Sequence, residues 1–221
     1  MSWWDAAYRS GHVNWDPGAY DGHIDWLFDA FRLEPCRAID LGCGTGKSAV
    51  YLAERGFAVV GVDRAPTAIE QARSLARRRG VAEAPRGRLG RAPGSARFVQ
   101  GLYPEDFPLV EGQESSDREL ERGSFGFVMD RGFLQHVGPG KAFERTIAHA
   151  RKLMTPDGLL YTLIAAREGN RGQFGPRLWT KDEISRSFER LFDFEALELS
   201  VFTPGERGSM NAWAAILKPS F

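Results

Sequence analysis

Two hydrophobic patterns alternate along the first half of the chain. Ile24, Leu27, Phe28 and Phe31 recur at three- and four-residue intervals, which predicts an amphipathic helix over about 20–33. "RAIDL" (37–41) is instead a short, nearly continuous apolar run, as expected of a buried strand. A glycine-rich loop follows it, and Ala49, Leu52 and Ala53 then share one face of a helix over 46–55. "FAVVGVD" (57–63) predicts a second buried strand, and Pro66 suits the first turn of a helix reaching about Arg79. Strand and helix alternating in this way argue for a parallel α/β sheet with right-handed crossovers.

That rhythm breaks at "GVAEAPRGRLGRAPGS" (80–95), which is rich in Gly, Pro and Arg and reads as a long insertion without periodicity. "ARFVQG" (96–101) resumes a strand, and 111–124 reads as a loop or short surface helix. "FGFVMD" (125–130) is a buried strand, 139–154 a helix ending at the turn signal "TPDG", and "LLYTLIA" (159–165) a fifth strand. After a helix over 180–191, "FEALELSVF" and "NAWAAILK" are separated only by "TPGERGSM", which predicts a terminal antiparallel hairpin. With no repeat and no linker, the 221 residues read as a single domain: an N-terminal helical lid (1–34) on a core (35–221).

Composition narrows the chemistry. The chain has 29 basic and 29 acidic side chains, so bulk charge gives no pull toward nucleic acid or an anionic membrane. The two cysteines flank the first strand, about 20 Å apart at ~3.3 Å per residue, too far to bridge. Neither a signal peptide nor a bilayer-spanning run of ~20 apolar residues is visible, so a cytoplasmic location is expected.

The loop "DLGCGTGKS" (40–48) decides among three chemistries. A phosphate-cradling loop would need glycine where Leu41 stands, and a dinucleotide loop would need it at Lys47. Asp40 adds a charge argument: it would repel phosphates and attract a ligand bearing positive charge. Asp63 ends the second strand, where a carboxylate can accept hydrogen bonds from both hydroxyls of a ribose. Lys47 and Ser48 then read as the opening of a helix, and Lys47→Ala is expected to matter little for ligand binding. The competing readings are a nucleotide hydrolase using Lys47 and Ser48, and a non-catalytic module that binds S-adenosylmethionine or RNA.

"AIDLGCGTGKSAVYLAERGFAVVGVDRAPTAIEQAR" resembles the class I S-adenosylmethionine-dependent methyltransferases. The resemblance implies a Rossmann-like, mostly parallel seven-stranded sheet with helices on both faces and a C-terminal antiparallel hairpin. It implies S-adenosyl-L-methionine as cofactor, with Asp40, Gly42, Gly44 and Gly46 along its methionine part and Asp63, with Arg64, at the ribose. Where relatives carry an acidic residue after the third strand, Gln100-Gly101-Leu102 stands here, so Leu102 backbone or Asp106 is the candidate for adenine. The start, "WWDAAYRSGHVNWD" (3–16), is similar to the small-molecule branch that includes thiopurine, thiol, halide and tellurite-resistance enzymes. By that likeness Trp4, Tyr8 and Trp15 cover the cofactor as an aromatic lid.

"DRGFL" (130–134) resembles a thiopurine-type motif facing the methyl group. It makes Asp130 a candidate for both cofactor contact and catalysis, and Arg131 and Phe133 candidates for the acceptor. His136 is a candidate general base, because imidazole titrates near working pH. Trp179 is either an acceptor contact or a core anchor ahead of a capping box formed by Thr180 and Glu183. His149, mid-helix, is expected at the surface, and no spacing suggests a metal site. Together these residues predict methyl transfer to a sulfur, oxygen or nitrogen of a small-molecule acceptor, by in-line displacement without a covalent enzyme intermediate.

Overall fold

The computed structural model describes residues 2–13, 15–16, 20, 22–84, 93–112, 116, 118–170, 175–205 and 208–220. Two helices, α1 (Trp3–Ser10) and α2 (His23–Phe31), precede β1 (Arg37–Leu41), α3 (Lys47–Glu54), β2 (Ala58–Asp63) and α4 (Pro66–Arg78). Next come β3 (Ala82–Glu83), β4 (Ser95–Gln100), β5 (Leu109–Val110), β6 (Leu120–Glu121) and β7 (Phe125–Arg131). The chain closes with α5 (Leu134–Val137), α6 (Lys141–Leu153), β8 (Met154–Ala165), α7 (Lys181–Phe188), β9 (Phe192–Gly205) and β10 (Gly208–Pro219).

The main sheet has the order β3-β4-β2-β1-β7-β8-β10-β9, parallel except for β10, which runs antiparallel to both its neighbours. From β1 at the centre the chain winds to one side through β2 and β4. It then crosses back to lay β7 on the other side of β1. A crevice opens at the carboxyl ends of β1 and β7, where the winding reverses, and this is where an open α/β sheet accepts a ligand.

Alternation along the strands feeds two cores. Ile39 and Leu41 face a cluster with Val60, Val128, Ile147, Trp179 and Phe188. Ala38 faces the opposite cluster with Val59, Phe127, Ile24, Leu52 and Ile69. Helix α1 packs on α4 instead: Asp5 Oδ1 accepts from the Thr67 backbone N–H at 3.0 Å, at the amino end of that helix, where backbone N–H groups lack partners within the helix. Among the described residues no helix is long and apolar enough to cross a membrane.

Several expectations need correction. The sheet has eight strands, not seven, because β3 forms inside the segment read as an irregular insertion. Its two residues are too few to show a period. They are held from outside by Arg97, whose Nη1 donates to Glu83 Oε1 at 2.8 Å. Residues 85–92, with Arg86, Arg88 and Arg91, lie outside the described part, as do 113–115 and 117. Part of the second polar stretch, 120–121, is a short strand paired with β5 rather than loop or helix. "TPDG", read as a turn closing the preceding helix, instead lies within the span of β8. His149 is half-buried rather than on the surface: Nδ1 meets the Tyr103 hydroxyl and Nε2 meets the Phe107 carbonyl, both at 2.8 Å. A carbonyl can only accept, so the neutral ring carries its proton on Nε2 and Tyr103 donates to Nδ1.

Candidate active site

The glycine loop sits between the end of β1 and the start of α3, and its backbone turns inward. The amides of Gly42 and Cys43 both donate to the Val62 carbonyl, at 2.9 and 3.0 Å. Gly46 donates to the Cys43 carbonyl at 2.9 Å, and Gly44 to Asp63 Oδ2 at 3.0 Å. A phosphate cradle requires such N–H groups to converge on the ligand. Four of them are engaged within the protein, which argues against the phosphate reading on grounds the sequence did not display.

The loop glycines have different tasks. All three take positive φ: 70° at Gly42, 53° at Gly44 and 77° at Gly46. A Cβ on Gly42 would lie 2.6 Å from that of Phe133, and one on Gly44 would lie 2.8 Å from the Tyr8 hydroxyl. These two glycines therefore let the lid and the β7 loop close down on the glycine turn. At Gly46 the collision would be with Ala72 and Phe98, at 2.7 and 2.9 Å, so this glycine brings α4 and β4 against the helix start.

A cavity of about 760 Å³ lies over the crevice. Gly42, Val62, Asp63, Arg64, Gly101, Leu102 and Tyr103 line one part of it; Arg131, Phe133, Gln135, His136, Phe202 and Met210 line another. Trp3, Trp4, Tyr8 and Trp15 also line it. A small polar niche of about 60 Å³, bordered by Asp40, Gly42, Gly44, Lys47 and Ser48, shares Tyr8, Trp15, Gly42 and Arg131 with the larger space.

The aromatic segment is held by several contacts. Trp15 Nε1 donates to the Tyr8 hydroxyl at 3.3 Å, and Arg131 Nη1 donates to the Trp15 carbonyl at 3.1 Å. Asp16 bonds Thr45 Oγ1 at 2.7 Å and Lys47 Nζ at 2.8 Å, tying this segment to the glycine loop. Burial and nearby Asp63 hold the Tyr8 hydroxyl protonated far above its usual range.

Electrostatics assign different characters to the carboxyls. Asp63 accepts from the Gly44 and Ala65 amides; burial pushes its carboxyl up, while these donors and Arg64 oppose the rise. Asp130 is fully buried: Oδ1 accepts from Phe133 N–H (2.7 Å) and Leu134 N–H (3.1 Å), and Oδ2 from the Thr162 hydroxyl (2.6 Å). Burial pushes it up to about 6 against the pull of those donors. It borders neither space. Its geometry instead ties the 131–134 turn, with Phe133, to the ends of β7 and β8.

His136 follows on α5 and faces the larger cavity, its ring edge-on to Trp4 with centroids 4.7 Å apart. Burial lowers its pKa, which favours neutral imidazole at pH 7. At the far rim the Leu102 amide already donates to Asp106 Oδ2 at 2.9 Å. The two adenine candidates therefore bind each other, and Leu102 lines the cavity beside Tyr103.

The structure thus brings Trp4, Tyr8, Trp15, Gly42, Asp63, Arg64, Leu102, Arg131, Phe133 and His136 around one cavity, and Asp40 and Gly44 around the adjoining niche. It leaves Gly46, Asp130 and Trp179 behind these walls. Trp179 is wholly buried against Phe143, with centroids 5.2 Å apart, and its neighbour Thr180 makes the capping box with Glu183. Sequence reasoning missed Tyr103, Gln135, Phe202 and Met210. Phe202 and Met210 come from the far strands β9 and β10, where no local motif signals a site.

A family model described as "Methyltransferase domain" matches residues 39–162. The chain is 54% identical over 43 residues to a 2-heptyl-1-hydroxyquinolin-4(1H)-one methyltransferase of Mycobacteroides abscessus, a match covering 20% of this chain and 19% of that protein. It is 28% identical over 142 residues to an uncharacterized methyltransferase of Synechocystis, covering 64% of this chain and 52% of the relative. The matches thus span about half or less of these relatives' lengths. In fold it is similar to the Burkholderia thailandensis 1,6-didemethyltoxoflavin-N1-methyltransferase, solved with S-adenosylhomocysteine. That likeness has a TM-score of 0.69 at 20% identity and covers 98% of this chain and 85% of the other.

Proposed function

The chain belongs to the methyltransferase domain family, whose model it matches over more than half its length, and from that premise we propose that it methylates a heteroatom of a small molecule, using S-adenosylmethionine. The observation that carries this reading is the shared cavity. Gly42 of the glycine loop, Asp63, the aromatic residues and the Phe133–His136 wall all border one space of about 760 Å³. Such a volume is within the range of small-molecule sites and has room for a cofactor with a compact acceptor.

The residues present fit that cofactor. Asp63 keeps lone pairs for ribose hydroxyls after accepting two amides, since a carboxylate offers about four acceptor sites. Asp40, 3% exposed, gives the niche a negative charge suited to an ammonium group. When bound, the cofactor supplies an electrophilic methyl on a sulfonium that leaves readily, so the protein needs no covalent intermediate.

The chain's own residues then orient and desolvate. Trp4, Tyr8 and Trp15 exclude water, and a ring face turned to a cationic guest attracts it. Phe133 and Phe202 give the acceptor apolar walls, and alignment of its nucleophile with the methyl can supply several kcal/mol. His136, neutral at pH 7, is placed to take a proton at a ring nitrogen when the nucleophile is a hydroxyl; a thiolate needs no such help. Asp130 supports the turn carrying Phe133 and does not reach the acceptor. The hydroxyquinolone and toxoflavin substrates in the names of two similar methyltransferases favour a flat heteroaromatic acceptor.

Calorimetry with S-adenosylmethionine and S-adenosylhomocysteine tests the first half of this reading; silence at millimolar ligand would overturn it. Turnover with radiolabelled cofactor against thiols, halides, phenols, heteroaromatic N-hydroxy compounds and amines tests the second.

A further inference from the structure

Asp16 links two parts of the molecule that the chain separates. Its Oδ1 lies 2.8 Å from Lys47 Nζ and its Oδ2 2.7 Å from Thr45 Oγ1, so one carboxylate bonds a residue inside the glycine loop and the first residue of α3. The pair is largely shielded, with side chains 14% exposed at Asp16 and 25% at Lys47. Shielded, charge-assisted bonds of this kind are stronger than surface ion pairs. The residue just before Asp16 is Trp15, whose indole borders the cavity and donates to Tyr8.

A molecule seated against Trp4, Tyr8 and Trp15 is held in part by that aromatic cover, which lines the cavity. Moving Trp15 means stretching what holds its neighbour. We infer that Asp16, with Lys47 and Thr45 as its catches, is a latch that positions the aromatic cover and sets the residence time of the cofactor and its product. The inference rests on the cofactor reading above. It reverses the expectation from sequence that Lys47→Ala matters little: Lys47 is part of the closure rather than an idle remnant of a phosphate loop. Asp16 and Lys47 also border the niche, so direct contact with the amino-acid end of the cofactor is the rival explanation.

Stopped-flow tryptophan fluorescence can separate the two, because Trp3, Trp4 and Trp15 report on the cavity. Release of S-adenosylhomocysteine would be compared with release of 5′-methylthioadenosine, which lacks the amino-acid end. The latch requires that Asp16→Ala and Lys47→Ala each speed release of both ligands by roughly tenfold. It also requires that the double variant be no faster than Asp16→Ala, since removing Asp16 already breaks the bond to Lys47 together with the one to Thr45. Lys47→Gln, a mild change at a helix start, repeats the test if an alanine variant folds poorly, and should show an intermediate acceleration. Unchanged release rates would overturn the latch, as would acceleration confined to S-adenosylhomocysteine. If the unaltered protein bound neither ligand in calorimetry, the cofactor reading itself would fall, and the latch with it.

Discussion

At the residue scale, Asp40 and His136 carry the sharpest consequences. Asp40 sits 3% exposed at the wall of the niche, one strand position before the loop. Hydrogen bonds to a charged group are worth about 1.5–3 kcal/mol, so Asp40→Ala should weaken S-adenosylhomocysteine binding by roughly ten- to a hundredfold. Isothermal titration measures this directly, with Asp40→Asn as the variant that removes only the charge. His136 is expected to matter through its neutral form. With its pKa held below 6.5 by burial, the rate with a hydroxyl acceptor should rise with pH through that lowered value and then level off. His136→Gln should remove that rise and cost about 10²-fold or more in kcat, while a thiol acceptor should be nearly indifferent. A pH–rate profile for each acceptor class distinguishes the two.

At the element scale, Asp130 shows how a loop is supported. Two backbone amides of the turn into α5 and one hydroxyl from β8 converge on its carboxylate. Asp130→Ala would orphan those donors, each costing about 1–3 kcal/mol when buried, and should lower stability well beyond Asp130→Asn. The folded carboxyl lies at about 6 against 3.8 for the free group. The folded state therefore binds more protons between those values, and the residue's contribution to stability falls as pH rises from about 4 to about 6. Relative to Asp130→Asn, the loss should be on the order of 3 kcal/mol across that window. Urea denaturation of both proteins at several pH values tests the sign as well as the size.

The elements themselves were mostly legible in the sequence, and the exceptions share a cause. Long apolar runs such as "FAVVGVD" and "FGFVMD" announced β2 and β7 because a strand buried on both faces needs an unbroken apolar stretch. Strand β3 went unseen because two residues have no periodicity and its order comes from β4 and Arg97 across the sheet edge. His149 was misplaced for a similar reason. On a helix alone it looks exposed, and only Tyr103 and the Phe107 carbonyl, some forty residues earlier, draw it inward.

At the scale of the whole molecule, the cavity is assembled from both ends of the chain. Its wall includes Trp3 and Trp4 near one end and Phe202 and Met210 near the other. Ligand binding should therefore tighten segments that are distant in sequence. With S-adenosylhomocysteine bound, amide exchange should slow by about tenfold or more over 3–10 and 131–137, because opening those segments must then break ligand contacts. The buried centres of β1 and β2, already protected, should change far less. Hydrogen-exchange mass spectrometry reads both regions in one experiment.

By itself the sequence determined the alternation of strands and helices, the terminal hairpin, the glycine loop with its preceding Asp40, and Asp63 at the next strand end. Those features follow from local forces: hydrophobic period, backbone freedom at glycine, and charge beside a loop. Only the tertiary structure decided what each of them faces. It turned four loop amides inward onto Val62, Cys43 and Asp63, drew Asp130 behind the wall and buried Trp179 in the core. It also joined Lys47 to Asp16, thirty-one positions away. A side chain's partners depend on which distant backbone the fold brings within about 3 Å, and that distance is set by packing of the whole sheet rather than by neighbours along the chain.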